Sequence, residues 1–151
     1  MPVVLRTGTA EDASACAEVW EHAIVARDGE PPADLAHVAR RLATGDGRLR
    51  IGADGATVLG FALALRAGAD MLLSHVAVLP TAQRRGLAAR LLADAVEHAR
   101  EHHAGRLLLE VRTGNHGALA LYEGLGFTAG RAPVPHPLGG HPTQLLSLDL
   151  R

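Results

Sequence analysis

Residues 75–88, His75-Val-Ala-Val-Leu-Pro-Thr-Ala-Gln83-Arg84-Arg85-Gly86-Leu87-Ala88, decide how this chain is read. An apolar run ends at Pro80, which cannot extend a strand ladder, and helical spacing begins near Gly86. The predicted helix keeps small residues, Gly86, Ala88 and Ala89, in its first turn. Small side chains leave the amides of a helix start open to an anion, and the helix dipole favours negative charge there. Arg84 and Arg85 add positive charge, and no carboxylate occurs between Met71 and Asp94. The segment is a candidate pyrophosphate cradle; its plain alternative is a strand–loop–helix with two solvated arginines. The familiar nucleotide loops are absent. GxxxxGK[ST] requires a Lys, which this chain lacks, and there is no GxGxxG.

The surrounding pattern is mixed α/β. Upstream, Val3 to Arg6 is β-prone and Thr9-Ala-Glu-Asp12 reads as a capping box opening a helix from about Ala10 to Ala26. Pro31-Pro32 opens a second helix to about Thr44. Arg48–Ala53 and Thr57–Ala67 flank the hairpin signal Asp54-Gly55, and Gly60 suggests a bulge or a close backbone approach. Met71–Leu79 is the next strand. Downstream, Leu87, Leu91, Leu92, Ala95, Val96 and Ala99 follow helical spacing to about His103. Arg106–Val111 is a strand that reads as buried, and a helix runs from about His116 to Leu125, stopped by Gly126. Phe127–Ala132 and Gln144–Leu150 are the last strands. The order predicts one domain over residues 1–151, with an antiparallel first half and a βαβ crossover after residue 70.

A second group of residues carries chemistry. The chain has one Asn, Asn115, and one Tyr, Tyr122, and both fall in Leu109-Glu110-Val111-Arg112-Thr-Gly-Asn115-His-Gly-Ala118-Leu-Ala-Leu121-Tyr122-Glu-Gly-Leu125-Gly126-Phe127. Asn115 stands at a helix N-cap. Tyr122 is a phenol that stays protonated at neutral pH and can donate a proton, although its helical face also suits a core aromatic. Glu110 lies in the apolar run LLLEV, where burial would favour a general base. An exposed strand residue or an ion-pair partner of Arg112 is the other reading.

Together the two stretches resemble the GNAT (Gcn5-related) N-acetyltransferases. V-A-V-x-P-x-x-Q-R-R-G-x-A is similar to that family's Q/R-x-x-G-x-G/A acetyl-CoA signature, with Ala88 at the second glycine. LEVR-x-x-N-x-x-A-x-x-LY-x-x-x-GF is similar to its branch that acetylates ribosomal-protein N-termini. The resemblance implies a GNAT-like α/β fold: a twisted, mixed, mostly antiparallel sheet with helices on both faces. Its fourth and fifth strands would splay into a cofactor slot. It implies that the Val76, Ala77 and Val78 backbones pair with the pantetheine arm. The amides of Gln83, Arg84, Arg85, Gly86, Leu87, Ala88 and Ala89 would bind the pyrophosphate, and Asn115 would contact the cofactor arm. Tyr122 would be the acid and Glu110 the base. The implied reaction moves acetyl from acetyl-CoA to a primary amine, of a small molecule or a peptide N-terminus, by direct attack in a ternary complex. A non-catalytic acyl-CoA-binding or regulatory domain is the alternative.

The rest of the composition narrows the partners. Fifteen Arg balance sixteen Asp+Glu to a net charge of −1, and aromatics are 3%, which argues against a nucleic-acid surface. No apolar run is long enough to span a bilayer and the start lacks a signal-peptide pattern, so a cytoplasmic protein is expected. The single Cys16 lies in an apolar stripe and reads as core. Nine His raise the question of a metal, but His98 and His102 sit among Glu97, Arg100 and Glu101 in HAREHH, not HExxH, and no metal is expected. His75 and His116 can relay a proton near the chemistry. The acceptor is expected between residues 20–47 and 131–143, near Glu21, Asp28, Glu30 and Asp34. A homodimer is within the family's habit.

Overall fold

The computed structural model describes residues 3–130, 134–135 and 142–151, with the Arg84 side chain left out. The elements are β1 (Val4–Thr7), α1 (Ala13–Asp28), α2 (Leu35–Ala43), β2 (Arg48–Asp54), β3 (Thr57–Ala67), β4 (Asp70–Val78), α3 (Leu87–Glu101), β5 (Arg106–Arg112), α4 (His116–Gly124), β6 (Thr128–Ala129), β7 (Val134–Pro135) and β8 (Pro142–Asp149). Two 3-10 turns, Ala10–Asp12 and Pro80–Arg85, precede α1 and α3. The sheet order is β1-β2-β3-β4-β5-β8-β6, with β7 also on β8. β4 and β5 are parallel and joined through α3, as the crossover requires; every other pairing is antiparallel. Among the described residues no helix is long and apolar enough to cross a membrane.

Several boundaries move for local reasons. The Thr9 box is present, with Asp12 accepting from the Thr9 amide at 2.9 Å, but it caps the 3-10 turn and α1 begins only at Ala13. α1 runs on to Asp28 because Gly29 takes the left-handed φ of 81° that closes a helix. α2 starts at Leu35, three residues beyond the Pro pair. Of the predicted strand 127–132, Thr128–Ala129 is strand among the described residues, and residues 131–132 lie outside them.

Helices cover both faces. α1 and α2 bury Cys16, Val19, Val38 and Leu42 against Ile51, Phe61, Leu63 and Ala77. On the other face α3 buries Leu87, Leu91, Leu92, Ala95 and Ala99 against Leu73, Val78, Leu107 and Leu109. Leu87 fixes where α3 begins. It sits over Gly52 and Gly60, which are partners across β2–β3. A Cβ on Gly52 would lie 2.6 Å from Leu87, and one on Gly60 would lie 3.1 Å from Leu87 and 2.9 Å from the Ala77 carbonyl. Glycine is therefore what lets Leu87 dock, and its full burial stabilises the fold by about 2 kcal/mol. Gly60 also adjoins a β2–β3 register shift at Leu59, so both readings of that glycine hold.

Candidate active site

The β4–β5 ladder is short. Only Met71–Leu73 pair with Leu107–Leu109, and beyond them the two strands part. A register slip against β3 falls at the same place. Leu63 pairs with His75 and Ala64 with Leu73, so Ser74 is the extra residue of a bulge. The Ser74 hydroxyl donates to the Leu63 carbonyl at 3.2 Å and ties the bulge to β3.

The opening between the strands is a cleft of about 660 Å³. Its walls are Leu73–Val78 of β4, Leu109–Arg112 of β5, Trp20, Ala23 and Arg27 on one face of α1, Pro32–Asp34, and Asn115, Ala118, Leu121 and Tyr122 around α4. The direction of the β4 backbone follows from the ladder. The Leu79 amide bonds the Leu59 carbonyl at 2.8 Å, so in antiparallel alternation residues 79 and 77 face β3 while Val76 and Val78 face the opening. The Gln83 side chain agrees, donating to the Val78 carbonyl at 3.3 Å from the slot side. The same alternation turns the Ala77 backbone towards β3; Ala77 reaches the cleft as a wall residue, not as an open amide.

At the far end of β4, α3 starts without a side-chain cap. Its first helical bond is Arg90 N to Gly86 O at 3.1 Å, so the helical pattern leaves the amides of Leu87, Ala88 and Ala89 unclaimed. Gly86 has φ of 71°, and that left-handed turn is what swings the 3-10 turn into α3. Of this stretch Gln83 and Ala88 line the cleft; Arg85 is exposed outside it, and the Leu87 side chain belongs to the core. The Arg84 side chain lies outside what is described.

Opposite, Asn115 caps α4 by accepting from the Ala118 amide at 3.3 Å. Tyr122 lies against the core, its ring 6.0 Å from that of Phe127, with its face in the cleft. Burial pushes the Tyr122 phenol above its ordinary value, with Arg27 opposing the shift. It is a protonated donor throughout the neutral range.

Glu110 corrects the expectation of a buried acid. Along β5, Leu107, Leu109 and Val111 face the core and Glu110 is exposed. It rims the cleft, with the Thr143 hydroxyl 3.5 Å away. Nor does Glu110 take Arg112 as its ion-pair partner. Arg112 reaches across to Asp28 at the end of α1, at 2.5 Å, and Arg27 holds the same carboxylate at 3.0 Å. Sequence reading names His75 and Asp34 separately but not the group they form with Trp20. Trp20 Nε1 donates to Asp34 Oδ1 at 3.1 Å, and the Trp20 ring stands edge-on to His75, 5.0 Å between centroids. The signal for it was only that Trp20 is the chain's one Trp.

Other sequence candidates fall away from the cleft. His116 is exposed and does not line it. His98 and His102 stack at 4.1 Å, and among the described residues no three His, Cys, Asp or Glu come together; His136 and His141 lie outside the described residues. Cys16 is fully buried and its thiol is pushed up to about 12 by desolvation, which makes it a core residue and no nucleophile. Of the expected acceptor region, Asp34 lines the cleft and Asp28 borders it, whereas residues 131–133 and 136–141 lie outside the described residues.

The sheet is thus split between two parallel strands, with open amides along one lip and a protonated phenol across from it. The profile of the acetyltransferase (GNAT) family matches residues 14–127, and the chain belongs to that family. It is 35% identical over 130 residues to the N-alpha-acetyltransferase RimI of Mycobacterium tuberculosis, which covers 83% of this chain and 78% of that protein. The crystal structure of the ribosomal-protein-S18-alanine N-acetyltransferase from Escherichia coli matches its fold with a TM-score of 0.80 at 23% identity, over 99% of this chain and 94% of that one. The structure of yncA from Salmonella typhimurium, a putative acetyltransferase with its cofactor acetyl-CoA, matches with a TM-score of 0.74 at 21% identity, over 100% and 95%.

Proposed function

We propose that the protein moves the acetyl group of acetyl-CoA to the amine of a peptide N-terminus by direct attack in a ternary complex. The observation that carries this reading is the open lip of β4, where Val76 and Val78 face the slot. A pantetheine arm is an extended chain bearing amides and pairs there as an added strand would. The amides of Leu87, Ala88 and Ala89, with the exposed Arg85 beside them, suit the pyrophosphate. Gln83 steadies the lip, Ala77 forms part of the wall, and Asn115 holds the start of α4 against the arm. An amide of the lip polarises the thioester carbonyl. Tyr122 donates its proton to the departing thiolate.

The acceptor class rests on chemistry and on kinship. Asp34 and Glu110 place carboxylates at the cleft, which suits an incoming ammonium. An α-amine with a pKa near 8 is about one-tenth neutral at pH 7, whereas a lysine-like amine near 10.4 is under about a thousandth neutral. The former asks less of the enzyme. One of the relatives above is named an N-alpha-acetyltransferase, and a structural neighbour is named a ribosomal-protein-S18-alanine N-acetyltransferase.

Calorimetric titration with acetyl-CoA, CoA and ATP, followed by thiol release with an alanine-initiated tetrapeptide amide and its N-acetylated form, tests the reading. Binding of both CoA compounds, silence with ATP, and release only with the free N-terminus are expected. Failure to bind either CoA compound sinks it.

A further inference from the structure

Asp34 stands where a carboxylate ordinarily serves its own helix. It is the N-cap of α2, its carbonyl accepting from the Val38 amide at 2.9 Å, and Asp is among the best capping side chains. Yet its carboxylate makes no capping bond. It meets the cleft instead, where Oδ1 accepts from Trp20 Nε1 at 3.1 Å. An indole N–H is a neutral donor, so the bond orients the carboxylate and leaves its charge unmatched. The cations of the same cleft are committed elsewhere. Arg27 and Arg112 both hold Asp28, and among the described residues no cation pairs with Asp34.

The indole also sets how far that charge lies from the chemistry. Trp20 meets Asp34 through Nε1 and meets His75 of β4 edge-on, 5.0 Å between centroids, so it stands between the carboxylate and β4. An extended peptide advances about 3.3 Å per residue. A carboxylate set back by an indole therefore faces the residue that follows the reacting one. Bonded to the reacting ammonium itself, Asp34 would work against transfer, because an opposite charge favours the charged form and the nitrogen must lose a proton before it attacks. A cation that stays charged throughout meets no such conflict.

Resting on the acetyltransfer reading above, we propose that Asp34, oriented by Trp20, selects acceptors that carry a cationic side chain on the residue after the reacting N-terminus. A lysine ammonium there is charged across the neutral range and pairs with the carboxylate, while its aliphatic stem suits the neighbouring indole. No proton or group is transferred at this seat. It adds binding to the acceptor, and Trp20 is its positioning residue.

Alanine-initiated tetrapeptide amides differing only at the second residue test this: lysine, its uncharged counterpart norleucine, and glutamate. Every protein is first titrated with acetyl-CoA. Wild type is expected to favour the lysine peptide over the norleucine one by about five- to tenfold in kcat/KM, with the difference falling on KM, and to use the glutamate peptide least. The preference is expected to shrink as salt is raised. Asp34→Asn keeps an oxygen for Trp20 and loses the charge; its kcat/KM values for the lysine and norleucine peptides are expected to come within about twofold of each other. Trp20→Phe keeps a ring without the donor and is expected to lose part of the same preference, again through KM. Equal kcat/KM for the lysine and norleucine peptides in wild type overturns the proposal, as does a lysine preference that survives in Asp34→Asn. A wild type that binds no acetyl-CoA overturns the acetyltransfer reading and this one together; a wild type that acetylates all three peptides alike overturns this one alone.

Discussion

The two walls of the cleft are built by opposite means. The β4 wall and the α3 start present backbone: Val76 and Val78 along an open ladder, then the uncapped amides of residues 87–89. Their register is set by two facing glycines and one buried leucine, Leu87. The wall of α1, β5 and α4 presents side chains, with Trp20, Arg27, Asp34, Glu110 and Tyr122 arriving from distant parts of the chain. A backbone site needs only a fold and small residues, so it serves a ligand common to a whole family. A side-chain site changes with single substitutions, so it is where an acceptor is chosen. Damage to the first should cost binding and stability; damage to the second should cost turnover.

The largest effect expected is on the side-chain wall. Tyr122→Phe should lower kcat by about 10²–10³ and leave acetyl-CoA affinity within about threefold. Because burial raises the phenol, wild-type kcat should hold through the ordinary phenol range and fall only above it, as the acid loses its proton. A variant that loses affinity in step with kcat would merge the two walls into one.

On the backbone wall, Gly60→Ala should destabilise the fold by about 1–3 kcal/mol, since the new Cβ meets the Ala77 carbonyl and Leu87. Acetyl-CoA affinity should fall with it, because β4 and the α3 start are displaced together. Denaturant midpoints and calorimetry on the same preparation read both, and an unchanged affinity would separate the socket from the cradle.

Smaller still, Glu110→Gln at the rim should cost at most about tenfold in kcat/KM. A larger loss in steady-state rates would place the base on β5.

The smallest effect concerns the ion pair that spans the mouth. Arg27 and then Arg112 hold the Asp28 carboxyl below its usual range. A folded-state value below the unfolded one stabilises above the carboxylate range, and that contribution is lost as pH falls through the folded value. Asp28→Asn should therefore cost less than about 1 kcal/mol at pH 7, with the gap to wild type closing as pH falls below the ordinary carboxylate range. Thermal unfolding across pH would show it; a gap that persisted in acid would mean the residue acts through packing.

How much of this was legible follows the same division. Residues 75–88 and 109–127 announce the strand–turn–helix, the N-cap at Asn115 and the lone phenol, because proline, glycine and helical spacing act locally. The bulge at Ser74 carries no such mark. It is a matter of β3 and β4 finding register, and it sets the Ser74 hydroxyl beside His75 Nδ1. LLLEV reads as a buried strand holding one acid because Leu108 shares the less buried face with Glu110; only the placement of β5 between β4 and β8 shows which face is core.

The sequence by itself determined an α/β chain with a parallel crossover, an anion-ready helix start and one available phenol, since each depends on neighbours within a few residues. The tertiary structure alone decided that β4 and β5 part after three residue pairs, that Glu110 stands at the rim, and that Trp20 and Asp34 come to His75. Those are contacts across 14 to 55 positions of chain, and they exist only once the sheet and its helices have packed.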